Sequence, residues 1–202
     1  MNHYVKIIIL LFILIPNFTY GFEYKTFSNK NDVMANGLDI TVKYPEFYKS
    51  LEGNRPHIVR KFNFKDGNIL NSMMILVKNI NNNEYKEINN YSNEELVDIV
   101  EMSFKDNNFS IKNSYSTKIE GERAIILEGY SEIERLNKIV YGLLISSTIF
   151  YDSKMINLQC SSSTVISNNR DINEIDKYWN NNGKNACLEY INSIIIMNKY
   201  KD

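Results

Sequence analysis

The chain has 202 residues, with 23 basic and 24 acidic side chains and a formal net charge of −1 at pH 7. This balance excludes a general electrostatic attraction to nucleic acid or anionic membranes, which requires an excess of basic side chains. With only two histidines and two cysteines, the chain has little material for histidine-dependent catalysis or a zinc site.

The first 21 residues have the pattern of a secretory signal peptide. Lys6 precedes an unbroken apolar run from Ile7 to Ile15, which is shorter than the roughly 20 residues that cross a bilayer. Pro16 ends this run, and we place cleavage after Gly21. The alternative is an uncleaved membrane anchor. We expect one exported domain over residues 22–202, periplasmic or secreted in a bacterial source, with no membrane span after cleavage.

The start of this domain has one clear strand. Residues 22 to 34 are polar and unpatterned, which predicts an extended or loose lead-in. From Gly37 to Tyr44, apolar and polar residues alternate with the period of a strand, and Pro45 ends the pattern. Residues 46 to 51 predict a helical turn.

A hairpin and a helix are predicted next. Two strands, Ile58 to Phe64 and Leu70 to Val77, flank the turn signal Asp66-Gly67. Residues 81 to 91 predict a polar connection. Ser92 to Glu95 matches a capping box, and the helix that it opens carries an apolar stripe near the 3.6-residue period. The helix is expected to end at residues 106 to 108.

Three consecutive antiparallel strands dominate the second half of the chain. They are predicted from Arg123 to Tyr130, from Lys138 to Phe150 and from Met155 to Ser162, after a strand from Ser114 to Ile119 and a loop over residues 131 to 137. In the last strand, Ile156, Leu158 and Cys160 alternate with Asn157, Gln159 and Ser161. One face is therefore expected to be buried and the other wet, and the wet face has room for a function.

The chain closes with helical patterns. A short helix is predicted from Asn173 to Trp179. A closing helix is predicted from about Asn185 to Asn198, with its apolar stripe on the sheet. The order of elements favours an α+β fold, in which a mostly antiparallel sheet is flanked by helices.

The two cysteines are expected to meet in the folded chain. Alternation places Cys160 on the inward face of its strand, and the helical period places Cys187 on the apolar face of the closing helix. An exported compartment is oxidising, so we predict a disulfide, which would contribute about 3 kcal/mol by closing its loop. The alternative is two separate buried thiols.

The pattern resembles the PsbP-like domains. The resemblance is carried by the strand that ends in Tyr44-Pro45, the aromatic pair Phe47-Tyr48, the capped middle helix, the long antiparallel strands and the final helix around Tyr190. Many members have tryptophan after the Tyr-Pro pair, where this chain has Phe47 and Tyr48. The resemblance implies a PsbP-like sandwich that acts by binding, and it brings no catalytic motif with it.

The residues give little support to catalysis. His57 is the only histidine left after removal of the signal segment, and we interpret it as a surface or structural residue. Three carboxylate pairs (Glu94 with Glu95, Glu132 with Glu134, Asp171 with Glu174) are interpreted as solvated faces or helix ends. No catalytic residue, metal site or cofactor is assigned.

Five aromatic residues form the predicted ligand or partner face, with core packing as the alternative explanation. They are Tyr44, Phe47, Tyr48, Phe62 and Phe64.

The sequence thus favours a non-enzymatic exported protein that binds a partner protein or a small ligand in the bacterial envelope. The alternatives are an exported hydrolase that uses carboxylates, and an immunity or chaperone-like factor for a secreted protein.

Overall fold

A large antiparallel sheet forms the centre of the protein, in a computed structural model that describes residues 22–30, 32–105 and 109–201. Its strands lie in the order β3 (Lys49–Glu52), β4 (Ile58–Asp66), β5 (Ile69–Asn79), β9 (Lys154–Ile166), β8 (Lys138–Tyr151), β7 (Glu122–Arg135) and β6 (Phe109–Ile119). The predicted meander is confirmed, because each strand from β6 to β9 pairs with the next along the chain. The predicted signal peptide lies outside the described residues.

Several predicted connections are wrong. The expected loop over residues 131 to 137 is a tight turn, because β7 and β8 pair as far as Arg135 and Lys138. Leu136 and Asn137 form this turn with φ values of 51° and 60°, which suit the twist of a two-residue hairpin. The expected helical turn over residues 46 to 51 contains β3, an exposed edge strand that pairs with β4.

A small sheet covers part of the large one. It consists of β1 (Tyr24–Ser28), β2 (Ile40–Pro45) and β10 (Ile195–Ile196), with β2 in the middle. A 3-10 turn over Val33–Ala35 connects the first two strands. Of the two predicted states of the lead-in, the extended one is present over Tyr24–Ser28. Five residues are too few to display an alternating pattern, and β1 forms by pairing with β2.

The closing helix is shorter than predicted. A helix, α3 (Asn169–Tyr178), continues through a π-helical turn (Trp179–Gly183) into α4 (Lys184–Asn192). Ile194 and Ile196 are both buried, whereas Ile195 between them is 40% exposed, which is the period of a strand. Pairing of β10 with β2 therefore overrides the helical spacing, and a 3-10 turn (Met197–Tyr200) follows.

Two helices pack on the opposite side of the large sheet. The second, α2 (Asn93–Lys105), has the predicted capping box: Glu95 N donates to Ser92 Oγ over 3.1 Å, and Ser92 N donates to Glu95 Oε2 over 2.7 Å. Before it lies α1 (Asn82–Asn90), where a polar connection was predicted wrongly. Asn81 caps α1 through Glu84 N, and few apolar residues mark it. The expected end of α2 at residues 106 to 108 is outside the described part.

The large sheet separates two cores. The inner face carries residues such as Phe62, Ile145 and Leu158, and it packs against the small sheet, α3 and α4. The outer face carries Ile125, Leu127 and Phe150 under α2. The structure also joins Cys160 of β9 to Cys187 of α4 in a disulfide, with their Cα atoms 5.5 Å apart. None of the helices in the described ranges is long and apolar enough to cross a membrane.

Candidate ligand-binding groove

The two faces of the large sheet are covered unequally. On the outer face, α2 packs mainly on β6 and β7, and its cluster extends to Leu144 and Phe150 of β8 and to Met155 of β9. A groove of about 510 Å³ lies where the helix meets the strands. We call this cavity the outer groove. Its volume is in the range of about 300 to 1,000 Å³ that is typical of small-molecule sites.

The walls of the outer groove are mainly apolar. They come from α2, from the start of β6 and from the outward positions of β5, β8 and β9. The principal apolar lining residues are Leu76, Val100, Phe104, Phe109, Leu144 and Met155. A concave surface of this composition favours burial of an apolar body.

The floor of the outer groove carries three uncharged polar side chains. Thr148 and Asn157 are paired across β8 and β9, and Gln159 is the next outward residue of β9. The amide nitrogen of Asn157 donates to Thr148 Oγ1 and to Ser146 Oγ, each over 2.9 Å. Asn157 is 7% exposed, and its Oδ1 atom has no hydrogen-bond partner within the described ranges. Asn157 Oδ1 is thus a fully buried acceptor to which the fold gives no partner.

The rim of the outer groove carries His57, Lys78 and Ser103. The His57 backbone has a φ of 72°, and its carbonyl accepts a hydrogen bond from Val77 N over 2.8 Å. The imidazole is exposed, which agrees with the interpretation of His57 as a surface residue. Lys78 therefore places a positive charge at the entrance, while the floor is neutral.

Two polar clusters hold the helices beside the groove. Glu101 of α2 accepts hydrogen bonds from Lys105 Nζ over 2.8 Å and from Ser114 Oγ of β6. The hydrogen bond from Lys105 is the main reason that the pKa of Glu101 is lower than its ordinary value, and that from Ser114 adds to it. These bonds attach the end of α2 to the edge of the sheet.

The second cluster is centred on Arg123 of β7. Its guanidinium donates to the carbonyl oxygens of Ile88 over 3.1 Å and Tyr91 over 2.8 Å. These carbonyls lie at the end of α1 and in the link to α2, where helix geometry leaves backbone acceptors unpaired. Arg123 therefore fixes the junction of the two helices on the outer face.

The predicted aromatic face lies on the opposite side of the large sheet. Tyr44 and Phe62 stack with their centroids 4.2 Å apart, and Phe47 contacts Phe64 at 4.6 Å and Tyr48 at 5.3 Å. The five residues thus come together, but mostly as packing: Phe62 and Tyr48 are buried, and Phe47 is 41% exposed. Burial raises the pKa of Tyr48 above its ordinary value.

Most of the predicted carboxylate pairs have structural partners. Glu95 belongs to the capping box of α2. Asp171 Oδ2 accepts from Ser167 N and Asn168 N at the start of α3, and Glu174 pairs with Arg170.

The third predicted carboxylate pair is exposed, and a second cleft of the protein is lined by carboxylates. Glu132 and Glu134 are exposed near the end of β7. Asp171 and Glu174, together with Asp66, also line a polar cleft of about 460 Å³. The described residues contain no group of three or more His, Cys, Asp or Glu side chains that could hold a metal ion.

Sequence reasoning identified only part of the outer groove. Asn157 and Gln159, assigned to the wet face, lie in its floor, whereas Ser161 is not among its lining residues. The strand period puts Leu144 and Thr148 on one face of their own strand, but nothing in the sequence places α2 beside them.

The fold defines an α+β protein with a seven-stranded antiparallel sheet and helices on both of its faces. No protein-family model matches the chain, and no curated protein does. Among solved structures, the fold is similar to that of LpqN, whose structure is described as "involved in cell envelope biogenesis of Mycobacterium tuberculosis". The TM-score is 0.50 at 12% identity, and the match covers 86% of this chain and 91% of that one.

A second solved structure matches less well. It is a protein of unknown function from Pseudomonas aeruginosa, PA94, described as a putative regulator. The TM-score is 0.36 at 12% identity, over 69% of this chain and 85% of that one. At these identities the likeness to LpqN shows the fold alone, and the likeness to PA94 carries no argument.

Proposed function

We propose that the chain is a non-enzymatic exported protein that binds a small, largely apolar ligand in the bacterial envelope, and that the outer groove is its binding site. The observation that carries this proposal is the groove itself. A concave volume of about 510 Å³, with apolar walls and a few neutral polar groups on the floor, is the usual form of a small-molecule site.

The chemistry of the outer groove favours binding over turnover. No carboxylate is found among its lining residues in the described part of the chain. His57 stands at the rim, and its exposed imidazole donates no hydrogen bond to a carboxylate among the described contacts. General acid–base catalysis requires such groups within reach of the bound molecule.

Export to the envelope is the second part of the proposal. The signal-peptide pattern of residues 1–21 supports it, and so does the Cys160–Cys187 disulfide, which suits an oxidising compartment. The overall likeness to LpqN agrees with an envelope setting. The PsbP-like relationship is retained as part of the proposal, with the strand that ends at Pro45 as its sequence support.

The outer groove can be blocked from its helical wall. Ser103 lies at the rim on the exposed side of α2, so Ser103→Trp adds a large side chain without opening a cavity in the core. Met102 is the next residue, is 66% exposed and does not line the groove, so Met102→Trp is a matched control. Ser103→Ala controls for loss of the hydroxyl, which donates to Val100 O.

The test is a fluorescence titration of the exported chain with N-phenyl-1-naphthylamine, an apolar probe. We expect saturable binding by the wild type, Met102→Trp and Ser103→Ala, and at least about tenfold weaker binding by Ser103→Trp, a loss of about 1.4 kcal/mol. Equal binding by all four proteins, or by none, would contradict the groove as the site.

The hydrolase alternative is favoured by one observation, the polar cleft lined by Asp66, Asp171 and Glu174. A hydrolase that uses two carboxylates would need both to face the substrate. Turnover of ester or glycoside substrates that disappears in Glu174→Gln would support the hydrolase and overturn the non-enzymatic assignment. Capture of one secreted protein at equal stoichiometry, in place of a small ligand, would support the immunity or chaperone-like alternative.

A further inference from the structure

The outward side of the large sheet has a charged region beside the outer groove. We propose that this region docks the protein on a bilayer that contains anionic lipids. Docking of this kind is independent of the proposed ligand site, because only one of the four lysines that carry it, Lys78, lines the outer groove.

The helices leave the strands β3, β4 and β5 open on the outer side. The apolar cluster under α2 contains residues of β6, β7 and β8 and Met155 of β9, and none of its described members comes from β3, β4 or β5. Three apolar side chains that point outward from the open part of the sheet are 43% to 44% exposed, namely Leu51 of β3, Leu70 of β5 and Val165 of β9. This part of the sheet therefore meets solvent directly.

The register of the strands sends four lysines outward. Phe62 of β4 is opposite Met73 of β5, and both side chains belong to the inner core. Since side chains alternate along a strand, the neighbouring Asn63 points outward, where its Oδ1 accepts a hydrogen bond from Ser72 Oγ over 2.9 Å. Alternation and cross-strand pairing give the same outward direction to Lys49 of β3, Lys61 and Lys65 of β4, and Lys78 of β5. We call the outward side of β3, β4, β5 and β9 the basic face.

No carboxylate points outward from these four strands within the described ranges. Glu52 of β3 lies opposite Arg60, which is an inward position of β4, and Asp66 continues the same inward series and lines the polar cleft. The strand period thus separates these acidic side chains from the lysines near them in sequence. The formal net charge of −1 does not reveal the separation, because it sums both sides of the sheet.

The lysines of the basic face have no ion pairs in the described part of the chain. Lys61 Nζ donates to the neutral Asn54 Oδ1 over 3.1 Å, and this is the one hydrogen bond of the four ammonium groups among the described contacts. On the opposite side of the molecule, by contrast, Lys25 pairs with Glu46 over 2.7 Å. The basic face therefore keeps positive charge that its own fold does not neutralise.

The composition of the basic face favours a membrane over an acidic protein. Protein interfaces are enriched in aromatic residues and arginine and depleted in lysine. The outward positions of these strands carry neither an aromatic residue nor an arginine in the described ranges. Lysine is a flexible point charge, which suits a fluid array of phosphate head groups. The exposed Leu51, Leu70 and Val165 add apolar surface for contact with the bilayer interface.

The basic face is continuous with the outer groove. Leu76, Lys78, Asn157 and Gln159 are outward residues of β5 and β9, and all four also line the groove. A protein that is docked through the basic face holds the outer groove close to the bilayer. An apolar ligand then has a short path between the membrane and the proposed site.

The experiment measures sedimentation of the exported chain with lipid vesicles. One set contains phosphatidylcholine alone, and the other contains equal parts of phosphatidylcholine and phosphatidylglycerol. We expect binding only to the anionic set, and weaker binding as sodium chloride rises from about 0.1 M to about 1 M, because salt screens the attraction. Binding to neither set, equal binding to both, or binding that does not respond to salt would overturn the proposal.

Substitution of lysines that lie outside the outer groove tests the basic face itself. The test variant combines Lys49→Gln, Lys61→Gln and Lys65→Gln, which keep long polar side chains and remove three charges. We expect its affinity for the anionic vesicles to fall about a hundredfold, since each lysine near an anionic surface contributes about fivefold. An unchanged affinity would overturn the basic face as the docking surface.

A matched control removes the same number of charges from the other side of the molecule. It combines substitutions of three exposed lysines, one directly after β1, one on β2 and one on α3: Lys30→Gln, Lys43→Gln and Lys177→Gln. We expect this control to bind anionic vesicles as the wild type does. An equal loss in the two triple variants would show that total charge, and not the basic face, determines binding. The wild-type comparison of the two vesicle sets needs no variant, so the test stands even if a triple variant does not fold.

The two proposals fail separately. Binding of N-phenyl-1-naphthylamine without binding to anionic vesicles would leave the outer groove as the ligand site and overturn the basic face as a docking surface. Vesicle binding that depends on the three lysines, without binding of the apolar probe, would do the reverse. Capture of an acidic protein in place of anionic vesicles would also overturn the membrane as the partner.

Discussion

The two faces of the large sheet differ in what covers them. The inner face is closed by the small sheet, by α3 and α4 and by the Cys160–Cys187 disulfide. The outer face is covered by α2 over one half, and the boundary of that cover forms the outer groove. The inner face is thus a closed core, whereas the outer face keeps a groove with apolar walls, which we propose as the ligand site.

The largest expected effect comes from paired truncations on the two faces. Leu158 of β9 is fully buried on the inner face, whereas Leu144 of β8 is half-buried at the outer groove. Leu158→Ala should lower the free energy of unfolding by about 3 to 4 kcal/mol, because it leaves a cavity in a closed core. Leu144→Ala should cost about 1 kcal/mol, since water already reaches that site.

Urea denaturation followed by circular dichroism measures both truncations. Equal losses of unfolding free energy in the two variants would show that the outer face is packed as tightly as the inner one. That result would contradict the difference between the two faces.

The disulfide is expected to stabilise the fold without acting at the outer groove. Replacement of both Cys160 and Cys187 by serine should lower the free energy of unfolding by about 3 kcal/mol, because the unfolded chain gains the entropy of an open loop. Binding of N-phenyl-1-naphthylamine by the folded fraction should be unchanged. Mass analysis after alkylation without reductant checks the pairing itself, and full labelling of both thiols in the wild type would exclude the bond.

Substitution of Arg123 tests whether the position of α1 and α2 on the outer face affects binding. Arg123→Met removes the donors to Ile88 O and Tyr91 O and keeps most of the side-chain volume. We expect a loss of about 1 to 2 kcal/mol in stability and weaker binding of the apolar probe, because the helix pair loses its junction. Arg170→Met, which removes an exposed ion pair on the other side of the sheet, is the control. Identical probe binding by the two variants would show that binding in the outer groove does not depend on the hydrogen bonds by which Arg123 holds the helices.

The smallest expected effect is a dependence of stability on pH. Glu101 has a pKa below its ordinary value in the folded chain, so the unfolded chain binds its proton first as the pH falls. The stabilisation by Glu101 is therefore complete above the ordinary glutamate range and is lost as the pH falls through the lower folded value. Glu101→Gln should flatten the stability curve below about pH 5. Unfolding free energies measured from pH 3 to pH 7 test this, and parallel curves would contradict it.

The parts of the fold that depend on local pattern were predictable from the sequence. The alternation of apolar and polar residues in β9 predicted its inner face and the inward position of Cys160, and the period of two in the neighbouring strands predicted the meander. The capping box marked the start of α2 in the same way. These features depend on neighbours within a few residues along the chain, so the local sequence is sufficient to predict them.

The parts that depend on distant contacts were not predictable. The short strand β1 exists because it pairs with β2, and Ile194 to Ile196 leave the helix because β2 accepts them as a strand. The outer groove combines one helix with outward residues of several strands, so only the folded chain places Val100 of α2 beside Leu144 and Asn157. Placement of such sites requires the packing of elements as well as their boundaries.

The most direct test of a binding site on the outer face is a map of chemical-shift changes in the ¹⁵N-labelled exported chain titrated with 1-decanol. We expect the largest changes at the backbone amides of Leu76, Thr148 and Gln159, with little change at Phe47 and Phe64 on the inner side. Changes centred on Phe47 and Phe64 would transfer the site to the aromatic cluster, and the absence of saturable change at either place would contradict ligand binding.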